Sequence, residues 1–195
     1  MRLKLANSVS NVFNPILLSL LAILLLSLGT TESLSRALVL SLVVVVIGVV
    51  PVYLLALYLV RSDRLESVFN STRQQRRGIY IAGIISVLFS ILALRLLDAP
   101  AEMLATLVTV VVAGAMFLVI NNWWKISIHA AFSTGVAVML TLLYGWPAAL
   151  VALVPVPLVA WSRVALGQHS VWQVTAGAAL AVVIQLAVFY FFGLL

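Results

Sequence analysis

Residues 37–60 read ALVLSLVVVVIGVVPVYLLALYLV. The run carries no charged side chain, and ~20 mostly apolar residues suffice to cross a bilayer as a helix. Six more apolar stretches accompany it, at roughly 14–29, 79–97, 103–120, 129–144, 147–161 and 171–194. Of the 195 residues, 65% are apolar and 8% are charged. A soluble domain of this size has too little interior to hide that much apolar surface, and lipid is the solvent that takes the excess. The expected fold is all-α: a polytopic transmembrane helical bundle of six to seven spans, forming a single integral membrane domain over 1–195. The first, fifth and sixth stretches are short, and Pro155 and Pro157 interrupt the sixth, which leaves the count between six and seven. The neighbourhood of Glu32 lacks a small-residue cleavage pattern, so the opening run is read as a retained span. With no Cys, thiol catalysis, disulfides and thiolate metal sites are excluded.

Short polar joints separate the spans, and their alternation fixes which joints share a face. Two spans return the chain to its starting side at joint 61–77; a hairpin turning at Asp98-Ala99-Pro100 returns it to joint 121–128; a second, turning at Tyr144-Gly145-Trp146-Pro147, returns it to joint 161–170. That face then holds Arg61, Arg64, Arg73, Arg76, Arg77, Lys125, Arg163, His129 and His169, together with Arg2 and Lys4. It gathers nine of the eleven Lys and Arg residues and both histidines, and leaves only Arg36 and Arg95 for the other face. The positive-inside rule accounts for loop cations but not for histidines or for cations tucked against span ends. A charge at the bilayer centre costs roughly 2.5–3.5 kcal/mol on insertion scales, and clustered cations repel one another besides. An anion held among them relieves that repulsion. The net charge of +6 therefore points to lipid head groups or a phosphorylated substrate, not to nucleic acid.

In the third joint, Gly167 breaks the chain before an apolar helix, which places His169 in the first turn of the last span. Free backbone N–H groups there attract anions, and the positive helix end keeps the imidazole neutral. Gln173, four residues on, shares the face, and its amide oxygen is placed to accept the ring N–H and fix the tautomer. In the second joint, Trp123 and Trp124 suit an interfacial aromatic belt, Ser127 suits a helix cap, and His129 opens an apolar run. In the first, Arg73, Arg76 and Arg77 precede the third span, and the planar guanidinium fork matches phosphate geometry.

Taken in order, these joints resemble the type 2 phosphatidic acid phosphatase family (PAP2), a family of membrane phosphatases. Ser162-Arg163 followed after five residues by His169 matches that family's Ser-Arg-x5-His, and Ser127-Ile128-His129 resembles its Ser-Gly-His. The resemblance spans about 61–185, the expected PAP2-like core. The chain departs from the family pattern in four places. Ile126 stands for a Pro, Ile128 for a Gly, and Gln173 for an Asp, and no basic pair in the first joint has Lys-x6-Arg spacing.

The resemblance implies hydrolysis of phosphomonoesters or diphosphates with no cofactor and no metal. His169 would attack phosphorus and become a phosphohistidine, and His129 would protonate the leaving oxygen and then activate water. Arg73, Arg76, Lys125, Ser127 and Arg163 would hold the phosphoryl oxygens, and Gln173 would orient His169. The implied substrate is a lipid phosphate of the polyprenyl (di)phosphate, phosphatidic acid or phosphatidylglycerophosphate class, met in a prokaryotic cell membrane among its lipids. The charge rule turns the motif face inward, whereas many members of the family turn it outward. The alternative reading is a protein that binds or transports lipid phosphates on the same fold without turnover.

Overall fold

The structure is a computed structural model that describes residues 1–65 and 76–195. Eight helices make up the described chain: α1 (Arg2–Val12), α2 (Pro15–Thr30), α3 (Leu34–Arg61), α4 (Arg76–Leu96), α5 (Ala101–Ile120), α6 (Ile128–Tyr144), α7 (Trp146–Ala165) and α8 (Val171–Phe191). In lipid, backbone N–H and C=O groups have no water to bond, so an apolar run satisfies them internally as a helix. Side-chain caps handle the ends. Asn14 accepts from the N–H groups of Ile16 and Leu17, Ser33 from Arg36, Ser127 from Ala130, and Ser170 from Gln173. Inside the spans, hydroxyls bond back to carbonyls one turn earlier, as Ser90 does to Ser86 and Thr141 to Ala137.

Two prolines leave visible marks. Pro51 lacks an N–H and its ring crowds the carbonyl four residues back, and the turn before it opens into a π segment, Val45–Val49, within α3. In α7, the residues before Pro155 form a turn at Leu153 and Val154, and the helix resumes beyond it. The span itself still runs from Trp146 to Ala165.

Each of the seven apolar stretches is helical. Five helices are long and apolar enough to cross a membrane on length and composition: α3, α4, α5, α7 and α8. A sixth counts if α1 and α2, bent by 41° at the break between them, form one span. Helix α6 has 17 residues and falls just short on length, because Ser127 caps one end and Gly145, at φ 75°, stops the other. It nonetheless runs from one face to the other. At its start, Ser127 N–H donates to the Gln173 carbonyl at 3.3 Å, and at its end Tyr144 Oη donates to the Leu25 carbonyl at 2.6 Å.

Other contacts define the same two faces. Arg36 Nη2 donates to the carbonyls of Leu97, at 3.2 Å, and Asp98, at 2.8 Å, tying the start of α3 to the α4–α5 turn. On the opposite side, Arg163 Nη1 donates to Ser10 Oγ at 2.8 Å and ties α1 to the end of α7. Trp123, Trp124 and Trp172 are exposed near the second face and Trp146 near the first, as interfacial belts require. Between the faces, large apolar side chains such as Leu42, Phe89 and Val183 point outward.

Candidate functional site

Helix α7 ends at Ala165, and Gly167 at φ 66° reverses the chain. The Arg163 carbonyl accepts from the N–H groups of Gln168, at 3.1 Å, and His169, at 3.3 Å. This turn delivers His169 to the mouth of α8. Ser170 and Gln173 then form a reciprocal capping box. Gln173 N–H donates to Ser170 Oγ at 3.3 Å, and Gln173 Oε1 accepts from Ser170 N–H at 3.2 Å. His169 consequently stands just before the cap and not in the first helical turn where the sequence reading had put it, because Ser170 takes the cap position.

The box also settles a chemical question. A backbone N–H can only donate, so the Gln173 atom facing Ser170 N–H is the amide oxygen. The same oxygen lies 3.1 Å from His169 Nδ1, and the Lys125 carbonyl lies 3.2 Å from that nitrogen. Both neighbours are acceptors, so Nδ1 carries the hydrogen. In the neutral ring, Nε2 then holds the lone pair. His169 is 6% exposed.

His129 occupies the first turn of α6 behind the Ser127 cap and is 4% exposed. It lines the same cavity as His169, joined there by Leu65 and Tyr80, so the first joint and the start of α4 also reach this place. Ser127 is fully buried; its hydroxyl accepts from Ala130 N–H and its own N–H reaches the Gln173 carbonyl. The second and third joints are thus sewn together by Ser127, Lys125, His169 and Gln173.

Residues 120–194 match the family model of the PAP2 superfamily. Over this segment the chain is similar to the PAP2 superfamily. The matched stretch takes in both Ser127–His129 and Ser162–His169 and runs to the end of α8. No curated protein and no solved structure matches the chain. That similarity points to phosphatase-type chemistry.

Within the matched segment Arg163 is 1% exposed, and its Nη1 donates to Ser10 of α1, outside the matched region. Lys125 is half-buried and contributes its carbonyl to His169. Arg73 lies outside the described residues, as does the side chain of Arg76. Sequence reasoning passed over two residues at the site. Ser10 sits in the polar Asn-Ser-x-Ser-Asn stretch of α1, which was a legible signal in an otherwise apolar approach. Gly177 packs directly on the Ser127 backbone, and nothing in the sequence distinguishes it from other glycines in spans.

Ser10→Ala removes the side-chain hydroxyl that accepts from Arg163 Nη1 at 2.8 Å. Losing one hydrogen bond to a buried charged group costs about 1.5–3 kcal/mol, and the expected result is a KM roughly tenfold higher with kcat nearly preserved. Steady-state kinetics of Ser10→Ala against Ser10→Thr check this, since Thr keeps the hydroxyl.

Proposed function

We propose that the protein is a membrane lipid-phosphate phosphatase acting through a phosphohistidine on His169. The observation that carries this reading is the Nδ1–H tautomer of His169, held by Gln173 Oε1 at 3.1 Å and the Lys125 carbonyl at 3.2 Å. A ring fixed in this way presents the Nε2 lone pair as a nucleophile without any deprotonation step. Nε2 bonds to phosphorus as the bond from phosphorus to the leaving oxygen breaks. His129, on the same cavity, supplies the proton that oxygen needs. Water then attacks phosphorus, His129 takes its proton, the N–P bond breaks, and His169 is restored. Arg163, Lys125 and Ser127, with Arg73 and Arg76, would bear the phosphoryl charge. Polyprenyl (di)phosphate, phosphatidic acid and phosphatidylglycerophosphate are the substrate classes this site would take, in a prokaryotic cell membrane.

The test is phosphate release from a panel of these lipid phosphates, run with and without chelator. Release above a His169→Ala control supports the reading; none on any substrate sinks it. Gln173 distinguishes the second reading, a lipid-phosphate binder or transporter. Its neutral amide orients His169 but cannot neutralise an imidazolium. Lipid phosphate that binds without turnover, and still binds after His169→Ala, would select that reading.

Gln173→Leu probes the orienting role directly. It removes the Nδ1 acceptor and half of the capping box. The expected loss in kcat is about 10²-fold, the lower end of what positioned acid–base groups contribute, with KM little changed. Gln173→Glu keeps the acceptor and the box and should retain most of the activity. Equal losses in both variants would show that Gln173 does not act through its oxygen.

A further inference from the structure

A cavity of about 370 Å³ runs inward from the two histidines. Its walls come from α2, α3, α4, α5, α6 and α8, and nearly all are hydrocarbon. On α8 the row that starts at His169 continues at four-residue spacing through Gln173, Gly177, Ala181 and Gln185. His169, Ala181 and Gln185 of that row line the cavity, which therefore follows the helix for roughly 18 Å beyond Gln173 at 1.5 Å per residue. Two other walls are cut back at middle depth. Gly83 of α4 and Gly135 of α6 both line the cavity, and a Cβ added at either would meet nothing within 4 Å among the described residues. The far end is different in kind. Gln185 is 2% exposed, and among the described residues neither its Nε2 nor the buried Oγ1 of Thr106 has a hydrogen-bond partner. Both residues line the cavity.

We propose that this cavity seats one hydrocarbon chain of the lipid phosphate inside the bundle, with Gly83 and Gly135 setting its bore and Gln185 and Thr106 setting its floor. The proposal rests on the phosphatase reading for the head-group end alone. A phosphate at the histidines leaves its chain at the cavity mouth, and apolar walls favour drawing it in. Bare glycine backbone at middle depth keeps the bore open there. At the far end an amide donor without a protein acceptor favours a water over a terminal methyl, because hydrocarbon would leave the amide desolvated and unbonded. Chain length is thereby measured between His169 and Gln185.

The experiment uses the full chain in detergent or nanodiscs with a homologous series of n-alkyl monophosphates from short to long. For the wild type, kcat/KM should climb with chain length and level off once the chain reaches the floor. Gly83→Leu and Gly135→Leu place a side chain in open bore and should lower kcat/KM for long chains about tenfold or more relative to the shortest. Gln185→Leu makes the floor apolar and should move the levelling point to longer chains. Gly78→Leu is the folding control. A Cβ there also meets nothing within 4 Å among the described residues, but the residue does not line the cavity. It should keep the wild-type profile. A chain-length profile that is the same in all variants overturns the proposal and puts the chain outside the bundle. If the wild type hydrolyses nothing, the phosphatase reading fails separately. Native mass spectrometry of bound long-chain alkyl phosphate then decides: loss of binding in Gly135→Leu upholds the chamber, and equal binding overturns it.

Discussion

His169→Ala is expected to bring phosphate release down to the buffer background, a loss of about 10⁴-fold or more, as when a covalent nucleophile is removed. His129→Ala is expected to fail differently. On the proposed mechanism the first step needs His129 only to protonate the leaving oxygen, so a substrate with a good leaving group, such as p-nitrophenyl phosphate, should still phosphorylate His169. The second step needs His129 to activate water, and the phosphoenzyme should accumulate. Incubation with ³²P-labelled substrate should therefore label His129→Ala, give little steady-state label on the wild type, and leave His169→Ala unlabelled. The label should be acid-labile and base-stable, as a phosphoramidate is. Both histidines are buried, so each variant is first shown to elute and melt like the wild type. Turnover in His169→Ala that matches the wild type would remove His169 from the chemistry altogether.

Gly177→Ala is expected to have the next largest effect, although it adds one methyl group and touches no titratable side chain. The Cβ would lie 2.6 Å from the Ser127 carbonyl oxygen and 3.4 Å from its carbon. These are backbone atoms and cannot swing aside, so α8 and the 121–128 joint must part. That joint supplies the Lys125 carbonyl at 3.2 Å from His169 Nδ1 and the Ser127 N–H bond to the Gln173 carbonyl at 3.3 Å. Separation loosens both contacts and tilts the imidazole away from the second histidine. Displacement of about 1 Å at a catalytic group costs on the order of 10²-fold in rate. Overpacking of this kind also costs about 1–3 kcal/mol in stability. The measurement is kcat together with thermal denaturation in detergent, with Gly78→Ala as the comparison, since its Cβ meets open space among the described residues and Gly78 does not line the cavity. Wild-type kcat in Gly177→Ala would show that the joint yields without disturbing His169.

The two predictions mark how far the sequence could be read. The helices were legible because in lipid an apolar run has one way to satisfy its backbone. The stretches at 37–60 and 171–194 became α3 and α8, to within a few residues. The sharing of faces was legible too, since short joints leave a hairpin no choice but to return. Arg36 meeting the Asp98 carbonyl and Ser127 meeting the Gln173 carbonyl join stretches that this counting put on one face. The Ser-Arg-x5-His spacing was legible because it is local, and one turn around Gly167 realises it.

Packing was not legible. A span is apolar all round, and a neighbouring helix and a lipid tail are equally good company for a leucine, so hydrophobic periodicity does not say which face turns inward. Small and polar residues decide it, and their partners lie elsewhere in the chain. Gly177 fits the Ser127 backbone, Ser10 holds Arg163, and Gly83 and Gly135 come from different helices to open the same cavity. The position of His169 before the cap also emerged only in three dimensions, where Ser170 and Gln173 close a box that leaves the imidazole outside it. By itself the sequence determined a bundle of membrane helices with its histidines at one end. Tertiary structure decided which nitrogen of His169 carries the hydrogen and what space lies behind it, because each depends on atoms more than forty residues away, such as the Lys125 carbonyl.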